Sequence, residues 1–142
     1  MAEVRFHPSA ELNWERVGDL YPTDMREGLN PNFAESSICT HEGGRDGSLY
    51  LQEIDLLPNA DASLHAHDLP EIVYILEGAL KFGNRMMDRG SSIFIAAETL
   101  YTLKAGDQGC RLLVFMESGL AKFFDKPTFM KRQAEMLAQA AE

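Results

Sequence analysis

The length, composition and charge of the chain exclude several classes of protein. Its 142 residues are 45% hydrophobic and 25% charged, which is typical of one ordinary globular domain. No stretch approaches the roughly 20 apolar residues of a membrane-spanning helix, and 22 acids against 13 basic residues give a net charge of -9. Because that charge would repel nucleic-acid phosphates and anionic lipids, we expect no nucleic acid and no membrane as partner.

The N-terminal residues and the cysteines indicate a compartment. The first 17 residues contain acids and Trp14 but lack the basic start and the apolar run of a secretory signal. Cys39 and Cys110 are too few and too far apart in sequence for a disulfide framework or a CxxC motif. We therefore expect a cytoplasmic protein with structural free thiols, Cys39 in a loop and Cys110 opening a strand.

The sequence divides into three parts that we predict to form one domain, 1–142. Residues 1–47 are interrupted by Pro8, Pro22 and Gly43-Gly44, which predicts an irregular N-terminal arm. Residues 48–119 alternate short apolar runs with turn residues, which is typical of many short strands in a sandwich or barrel. Residues 120–142 predict a C-terminal amphipathic helix that begins near Asp125-Lys126-Pro127-Thr128.

Two details of the barrel segment are predicted from residue types. Glu77-Gly78 and Phe82-Gly83-Asn84 contain residues that tolerate positive φ, so we expect a hairpin at the first and a tight turn at the second. Large apolar side chains on these strands are expected to fill the core. They are Met86, Met87, Phe94, Phe115 and Met116.

A group of possible metal ligands lies in the segment HAHDLPEIVYILEG. His65 and His67 are separated by one residue on a probable strand, so their side chains share a face. Pro70 favours a bend before the next strand, so Glu71 can turn back toward the two imidazoles. Two neutral imidazoles and a carboxylate suit Fe(II), Mn(II), Ni(II) or Zn(II) and leave coordination positions open.

The same segment resembles the first sequence motif of the cupin superfamily. Two histidines one residue apart are followed by a glutamate four residues on and by a glycine after six more, here His65, His67, Glu71 and Gly78. The glycine that usually precedes the first histidine by six positions is Asn59, a residue that also tolerates left-handed backbone geometry. The resemblance implies that the two histidines and the glutamate are metal ligands.

The second cupin motif would begin at Gly90, and only that glycine fits. Its proline corresponds to Ala96, its second glycine to Glu98 and its ligand histidine to Tyr101. Tyr101 could be packing, could hydrogen-bond to an oxygen on the metal, or could be a catalytic acid. His41 lies outside the barrel segment, although the arm could carry it over the barrel mouth.

The resemblance implies an all-β fold, a small RmlC-like jelly-roll barrel with a divalent metal in its mouth. Such barrels are usually dimers, and the arm carries apolar residues that need a cover, so we expect a homodimer. A loose similarity to the small acetylacetone-dioxygenase-like cupins implies a non-haem metal enzyme, such as a dioxygenase, whose substrate is a small enolisable or dicarbonyl compound. Two alternatives stay open: a non-catalytic sensor or carrier that binds a metal or metabolite, and a metal-free acid/base isomerase or epimerase that pairs Tyr101 with a histidine.

Overall fold

The computed structural model describes residues 2–141, and most of its regular elements are β-strands. The strands are β1 (Trp14–Arg16), β2 (Ser37–Glu42), β3 (Tyr50–Leu56), β4 (His65–His67), β5 (Glu71–Phe82), β6 (Arg85–Asp88), β7 (Ser92–Ile95), β8 (Lys104–Met116) and β9 (Phe123–Asp125). The helices α1 (Thr23–Arg26) and α2 (Pro31–Ala34) lie between β1 and β2, and α3 (Lys126–Ala140) follows β9.

The strands form two antiparallel sheets. The larger has the hydrogen-bonded order β1-β2-β3-β8-β5-β6, and β7 pairs with the first half of β5 while β6 pairs with its second half. The smaller consists of β4 and β9. Side chains from both sheets line a single cavity, so the two sheets enclose the interior of one barrel.

The centre of the larger sheet is the pair of long strands β5 and β8, whose register runs from Glu71 opposite Met116 to Lys81 opposite Lys104. The predicted hairpin at Glu77-Gly78 is wrong, because β5 continues through it, whereas the turn after Phe82 is confirmed. Gly78 has φ 75° and sits at a bulge, where a Cβ would lie 2.2 Å from the Gly109 carbonyl oxygen. The positive φ that suggested a hairpin instead allows β5 and β8 to approach each other closely at this bulge.

Strand alternation divides the side chains of β5 between the core and the surface. Val73 and Ile75 are fully buried, whereas Ile72 and Tyr74 on the other face are exposed. Of the five residues predicted to fill the core, Met116 is buried and Met87 packs against the core. The prediction is wrong for the other three, since they occupy outward positions of their strands and are exposed: Met86, Phe94 and Phe115.

The N-terminal arm contains more regular structure than its turn residues suggested. β1 pairs with β2, and β2 pairs with β3 at the edge of the larger sheet. Between them, Asn30 caps α2 by accepting a hydrogen bond from the Phe33 backbone N–H (3.0 Å). Val17 and Phe33 reach the core. Cys39 therefore lies in a strand rather than in a loop, and it is buried and unbridged, as Cys110 is.

The C-terminal helix begins where the sequence predicts it. Asp125 is the N-cap of α3 and accepts a hydrogen bond from the Thr128 backbone N–H at 2.9 Å, and Pro127 occupies the first turn. Arg132 of the same helix donates to the Glu98 carboxylate, which attaches α3 to the loop before Tyr101. No helix within residues 2–141 is both long and apolar enough to cross a membrane.

Candidate functional site

Both histidines of the predicted site lie on β4, which is held along both edges. On one edge, β4 pairs with β9, with His65 opposite Asp125. On the other, His65 and Tyr101 exchange two backbone hydrogen bonds of 2.9 Å, and the Glu98 backbone N–H donates to the His67 carbonyl (2.8 Å). Because one residue separates them, His65 and His67 point to the same side, and both line the cavity.

The imidazole ring of His65 is neutral and in a defined tautomer. Its Nδ1 lies 2.9 Å from the Ser63 carbonyl oxygen, which can only accept, so Nδ1 carries the proton and Nε2 keeps its lone pair. The ring stacks on Phe123 with centroids 5.1 Å apart, and only 7% of the residue is exposed. Burial lowers the pKa of His65 to about 4. This is the form of imidazole that a metal ion binds.

Glu71 and Tyr101 form a buried hydrogen-bonded pair beside the histidines. Glu71 opens β5 and is 4% exposed, Tyr101 is 5% exposed, and the Tyr101 hydroxyl donates to Glu71 Oε1. Burial raises the pKa of the Glu71 carboxyl, against the lowering effect of the Tyr101 hydrogen bond and of His67. Burial and the negative charge of Glu71 raise the pKa of the Tyr101 phenol. The phenol therefore stays protonated near neutral pH.

The four predicted site residues line one cavity of about 440 Å³. Alternate residues of β3 form one wall, which carries the amide of Gln52 and the phenol of Tyr50. Burial first, and the charge of Glu71 second, raise the pKa of Tyr50 to about 12. Most of the remaining lining is apolar, so polar groups are concentrated around the histidines and on β3. A cavity of this size suits a small organic ligand.

The predicted ligands have the chemistry of a divalent-metal site but do not surround a common point. The rings of His65 and His67 are nearly perpendicular (85°), with centroids 5.3 Å apart. Within residues 2–141, however, no three His, Cys, Asp or Glu side chains are placed to hold a metal. The Glu71 carboxylate contacts the Tyr101 hydroxyl instead.

Two features of the pocket nevertheless fit a cation. Nε2 of His65 is unprotonated, and the hydrogen-bond partner of the buried Glu71 carboxyl is an uncharged phenol rather than a cationic side chain. An unbalanced buried carboxylate is unfavourable, and a bound cation would compensate it. His65, His67 and Glu71 can therefore hold a metal provided that Glu71 exchanges the phenol for it.

Of the other polar residues considered from the sequence, some line the cavity and some do not. Gln52 lines the cavity, whereas Glu53 faces outward and its carboxylate lies 3.1 Å from His41 Nε2. His41 is not among the lining residues. Sequence reasoning missed the part of the cavity lining that the N-terminal arm and β9 supply, here called the mouth because Leu20, Met25 and Phe123 are partly open to solvent. Its residues are Val17, Leu20, Tyr21, Pro22, Met25, Phe33 and Phe123. The available signal was the group of apolar residues in an arm predicted to be irregular.

The comparisons with known proteins bear on the fold. No family model matches the sequence, and no curated protein is similar enough in sequence to match. Among solved structures, an RmlC-like cupin protein from Ralstonia eutropha is 10% identical with a TM-score of 0.66, and the match covers 98% of this chain and 88% of that one. The polyketide cyclase RemF from Streptomyces resistomycificus is 19% identical with a TM-score of 0.65, covering 87% and 86%.

A third structural relative is much longer than this chain. Oxalate decarboxylase from Bacillus subtilis, a protein with Mn(II) centres, is 16% identical with a TM-score of 0.56. The match covers 64% of this chain but 28% of the oxalate decarboxylase chain. These likenesses agree with the two antiparallel sheets that enclose one cavity, and together they show that this chain has the cupin fold, an RmlC-like jelly-roll barrel.

Proposed function

We propose that this chain is a metal-dependent cupin enzyme in which His65, His67 and Glu71 bind one divalent cation. The observation that carries the proposal is that all three donors line the same largely apolar cavity, which is large enough for a small organic substrate. The reaction we favour is a dioxygenase reaction on a small enolisable or dicarbonyl compound. Its support is the donor set, because two imidazoles and one carboxylate would leave coordination positions on Fe(II) open for substrate and dioxygen.

The residues of the site have distinct roles in this proposal. A bound divalent metal would act as a Lewis acid that polarises a substrate oxygen. Tyr101, whose raised pKa keeps it protonated, holds a hydrogen-bond donor at the same end of the cavity. The Ser63 carbonyl fixes the orientation of His65. The apolar walls exclude water, which strengthens every electrostatic interaction at the polar end.

A second function is favoured by one specific contact, the hydrogen bond from Tyr101 to Glu71. A protonated phenol beside a carboxyl of raised pKa can also act as an acid/base pair, with Tyr101 as the acid and Glu71 as the base. Such a pair would serve a metal-free isomerase or epimerase. The two functions differ in what Glu71 binds, and metal analysis separates them.

The first experiment measures the metal content of protein purified without added metal and then loaded with Fe(II), Mn(II), Ni(II) or Zn(II). We expect about one ion per chain, lost in His65→Ala and in Glu71→Gln. His41→Ala is the matched control, because His41 pairs with Glu53 and does not line the cavity; it should keep the metal. Failure of all four ions to bind the wild-type protein would overturn the metal site and favour the acid/base function.

The second experiment measures oxygen consumption by the iron-loaded protein with a panel of diketones. Uptake that is abolished in Tyr101→Phe while the iron content is unchanged supports a dioxygenase with Tyr101 at the substrate. Stoichiometric iron without oxygen uptake on any compound contradicts the dioxygenase reaction and favours the metal-binding sensor or carrier.

A further inference from the structure

The walls of the cavity carry almost no charge. Thirteen of the lining residues are apolar, with aliphatic side chains such as Ile54, Leu103 and Val114 and the aromatic rings of Phe33 and Phe123 among them. Within residues 2–141, no lysine or arginine lines the cavity, and Glu71 is its one acidic residue. An anionic group on a ligand would therefore be buried without a partner against these walls, and at the histidine end it would lie beside the carboxyl group of Glu71; such burial is strongly unfavourable.

Two arginines of the surrounding elements, Arg132 and Arg111, are engaged by carboxylates elsewhere, and Arg26 of α1 donates to the Tyr21 backbone carbonyl (2.9 Å) and does not line the cavity. Arg132 of α3 donates two hydrogen bonds to Glu98 Oε1, at 2.8 and 3.1 Å. Arg111 of β8 lies on the outward face, 3.0 Å from the Asp55 carboxylate and over the ring of Trp14. Neither is among the lining residues, so an anionic ligand would not gain a guanidinium partner by entering the cavity.

A continuous series of aromatic rings runs along the cavity wall to the candidate site. Phe33 and Tyr21 meet edge to face with centroids 6.3 Å apart, Tyr21 meets Phe123 in the same way at 6.5 Å, and Phe123 stacks on His65 at 5.1 Å. Aromatic walls of this kind favour flat ring systems, which pack by stacking and edge-to-face contact.

The size of the cavity sets an upper limit on the ligand. An apolar cavity of about 150 Å³ holds benzene, and this cavity of about 440 Å³ is roughly three times larger. Two fused rings with one short substituent fit that space. A two-carbon dianion such as oxalate would leave most of it unfilled and would place its second carboxylate against apolar walls.

We propose that the ligand class of this cavity is an uncharged, flat compound of about two fused rings with one hydroxyl or carbonyl oxygen, which binds at the histidine end. The position of that oxygen rests on the proposed function, because it assumes that the polar end is the reacting end. The absence of charge and the ring shape follow from the walls alone.

The test uses three probes on the full-length protein after treatment with a chelator: 2-naphthol, 2-naphthoate and oxalate. Isothermal titration calorimetry should show one site for 2-naphthol, at least tenfold weaker binding of 2-naphthoate, and no binding of oxalate. Equal or tighter binding of either anion, or no binding of 2-naphthol, overturns the proposal.

A charge variant tests whether the cavity wall sets this preference. Gln52 is on the β3 wall, so Gln52→Arg places a cation inside the cavity and should reverse the preference toward 2-naphthoate by tenfold or more. Gln108→Arg adds the same charge at an exposed position of β8 and should leave the preference unchanged. A reversal in both variants, or in neither, contradicts binding in this cavity.

A second variant, which changes the size of the cavity, keeps the proposal testable if the charge variant misfolds. Ala62 is half-buried in the lining, and Ala62→Leu should weaken 2-naphthol binding at least fivefold with an unchanged melting temperature; unchanged binding would contradict the proposal. Metal content is measured on separate samples. Naphthol binding without any metal uptake refutes the metal site alone, whereas stoichiometric metal without naphthol binding refutes the ligand class alone.

Discussion

Two parts of the cavity lining, which meet where Phe123 stacks on His65, are built differently. At the histidine end, each functional side chain stands on or beside a strand whose backbone is hydrogen-bonded to its neighbours, as for His65 against Tyr101 and Glu71 against Met116. At the mouth, the lining comes from helices of four residues and from loops between Val17 and Phe33. Sheet ladders fix side-chain positions closely, whereas short helices depend on packing. The comparison indicates that backbone hydrogen bonds fix the side chains around the histidines, whereas packing positions the lining that the N-terminal arm supplies.

The largest effect is expected at the bulge where Gly78 of β5 lies against Gly109 of the neighbouring strand β8. Gly78→Ala would put a Cβ 2.2 Å from the Gly109 carbonyl oxygen at φ 75°, and the combined strain and clash should remove about 3 kcal/mol or more of stability. Urea unfolding measures this loss of stability. Gly83→Ala is the control, since Gly83 also has positive φ (59°) but no atom within 4 Å, and it should lose only about 1 kcal/mol. Equal losses of stability in the two variants would show that the close contact between Gly78 and Gly109 has no effect of its own.

The second prediction compares the interior of the cavity with its mouth. Leu103 is 6% exposed and belongs to the core, whereas Met25 of α1 is 40% exposed. Leu103→Ala should lower the free energy of unfolding by about 3 kcal/mol, and Met25→Ala by less than about 1 kcal/mol. Both should weaken 2-naphthol binding. A large stability loss in Met25→Ala would show that the mouth is as firmly packed as the core.

The third prediction concerns how the stability of the metal-free protein depends on pH. His65 stays neutral in the folded chain down to about pH 4, but in the unfolded chain it takes up a proton below about pH 6.5. Protonation therefore favours the unfolded state, and stability that is fully present above pH 6.5 should fall by roughly 2–3 kcal/mol as the pH drops to 4.

Glu71 acts in the opposite direction over part of this range, because its pKa is raised and its protonation favours the folded state. The contribution of His65 to the pH dependence of stability is therefore isolated by comparing the wild type with His65→Asn, whose amide can still donate to the Ser63 carbonyl. Urea unfolding of both proteins from pH 4 to 7 should give a shallower dependence for the variant. Parallel curves would contradict a buried neutral His65.

The smallest effect on stability is expected on the outward face of the sheet. Phe94 of β7 is 69% exposed and lies opposite Ile72 of β5. The homodimer expected from the sequence stays a prediction, and this apolar face is a place to test it. Light scattering should give twice the mass of one chain for the wild type and one chain mass for Phe94→Asp, with unfolding changed by less than about 0.5 kcal/mol. A monomeric wild type would refute the homodimer.

The parts of the molecule that the sequence predicted are those governed by local rules. The spacing of His65, His67 and Glu71 predicted side chains on one cavity, because strand alternation and a proline bend act over a few residues. The cap at Asp125 is local in the same way. The continuation of β5 through Gly78 was not predictable, since the positive φ serves a contact with Gly109, 31 positions further along the chain.

Long-range packing also explains the other differences. Strand alternation gives two faces but does not say which one is inside, so Phe94 and Phe115 could not be placed on the surface from their residue types. The contact from Tyr101 to Glu71 joins residues 30 positions apart. The sequence placed both near the site but could not show that they bond to each other, and that bond is what separates a metal site from an acid/base pair.

The most direct test of the metal site is anomalous X-ray diffraction from crystals grown with millimolar Mn(II) or Fe(II), measured on both sides of the absorption edge of the metal. We expect one anomalous peak within about 2.0–2.3 Å of His65 Nε2, an imidazole nitrogen of His67 and a carboxylate oxygen of Glu71, with the Tyr101 hydroxyl no longer bonded to that oxygen. A cavity without an anomalous peak, with Tyr101 still bonded to Glu71, would contradict the account.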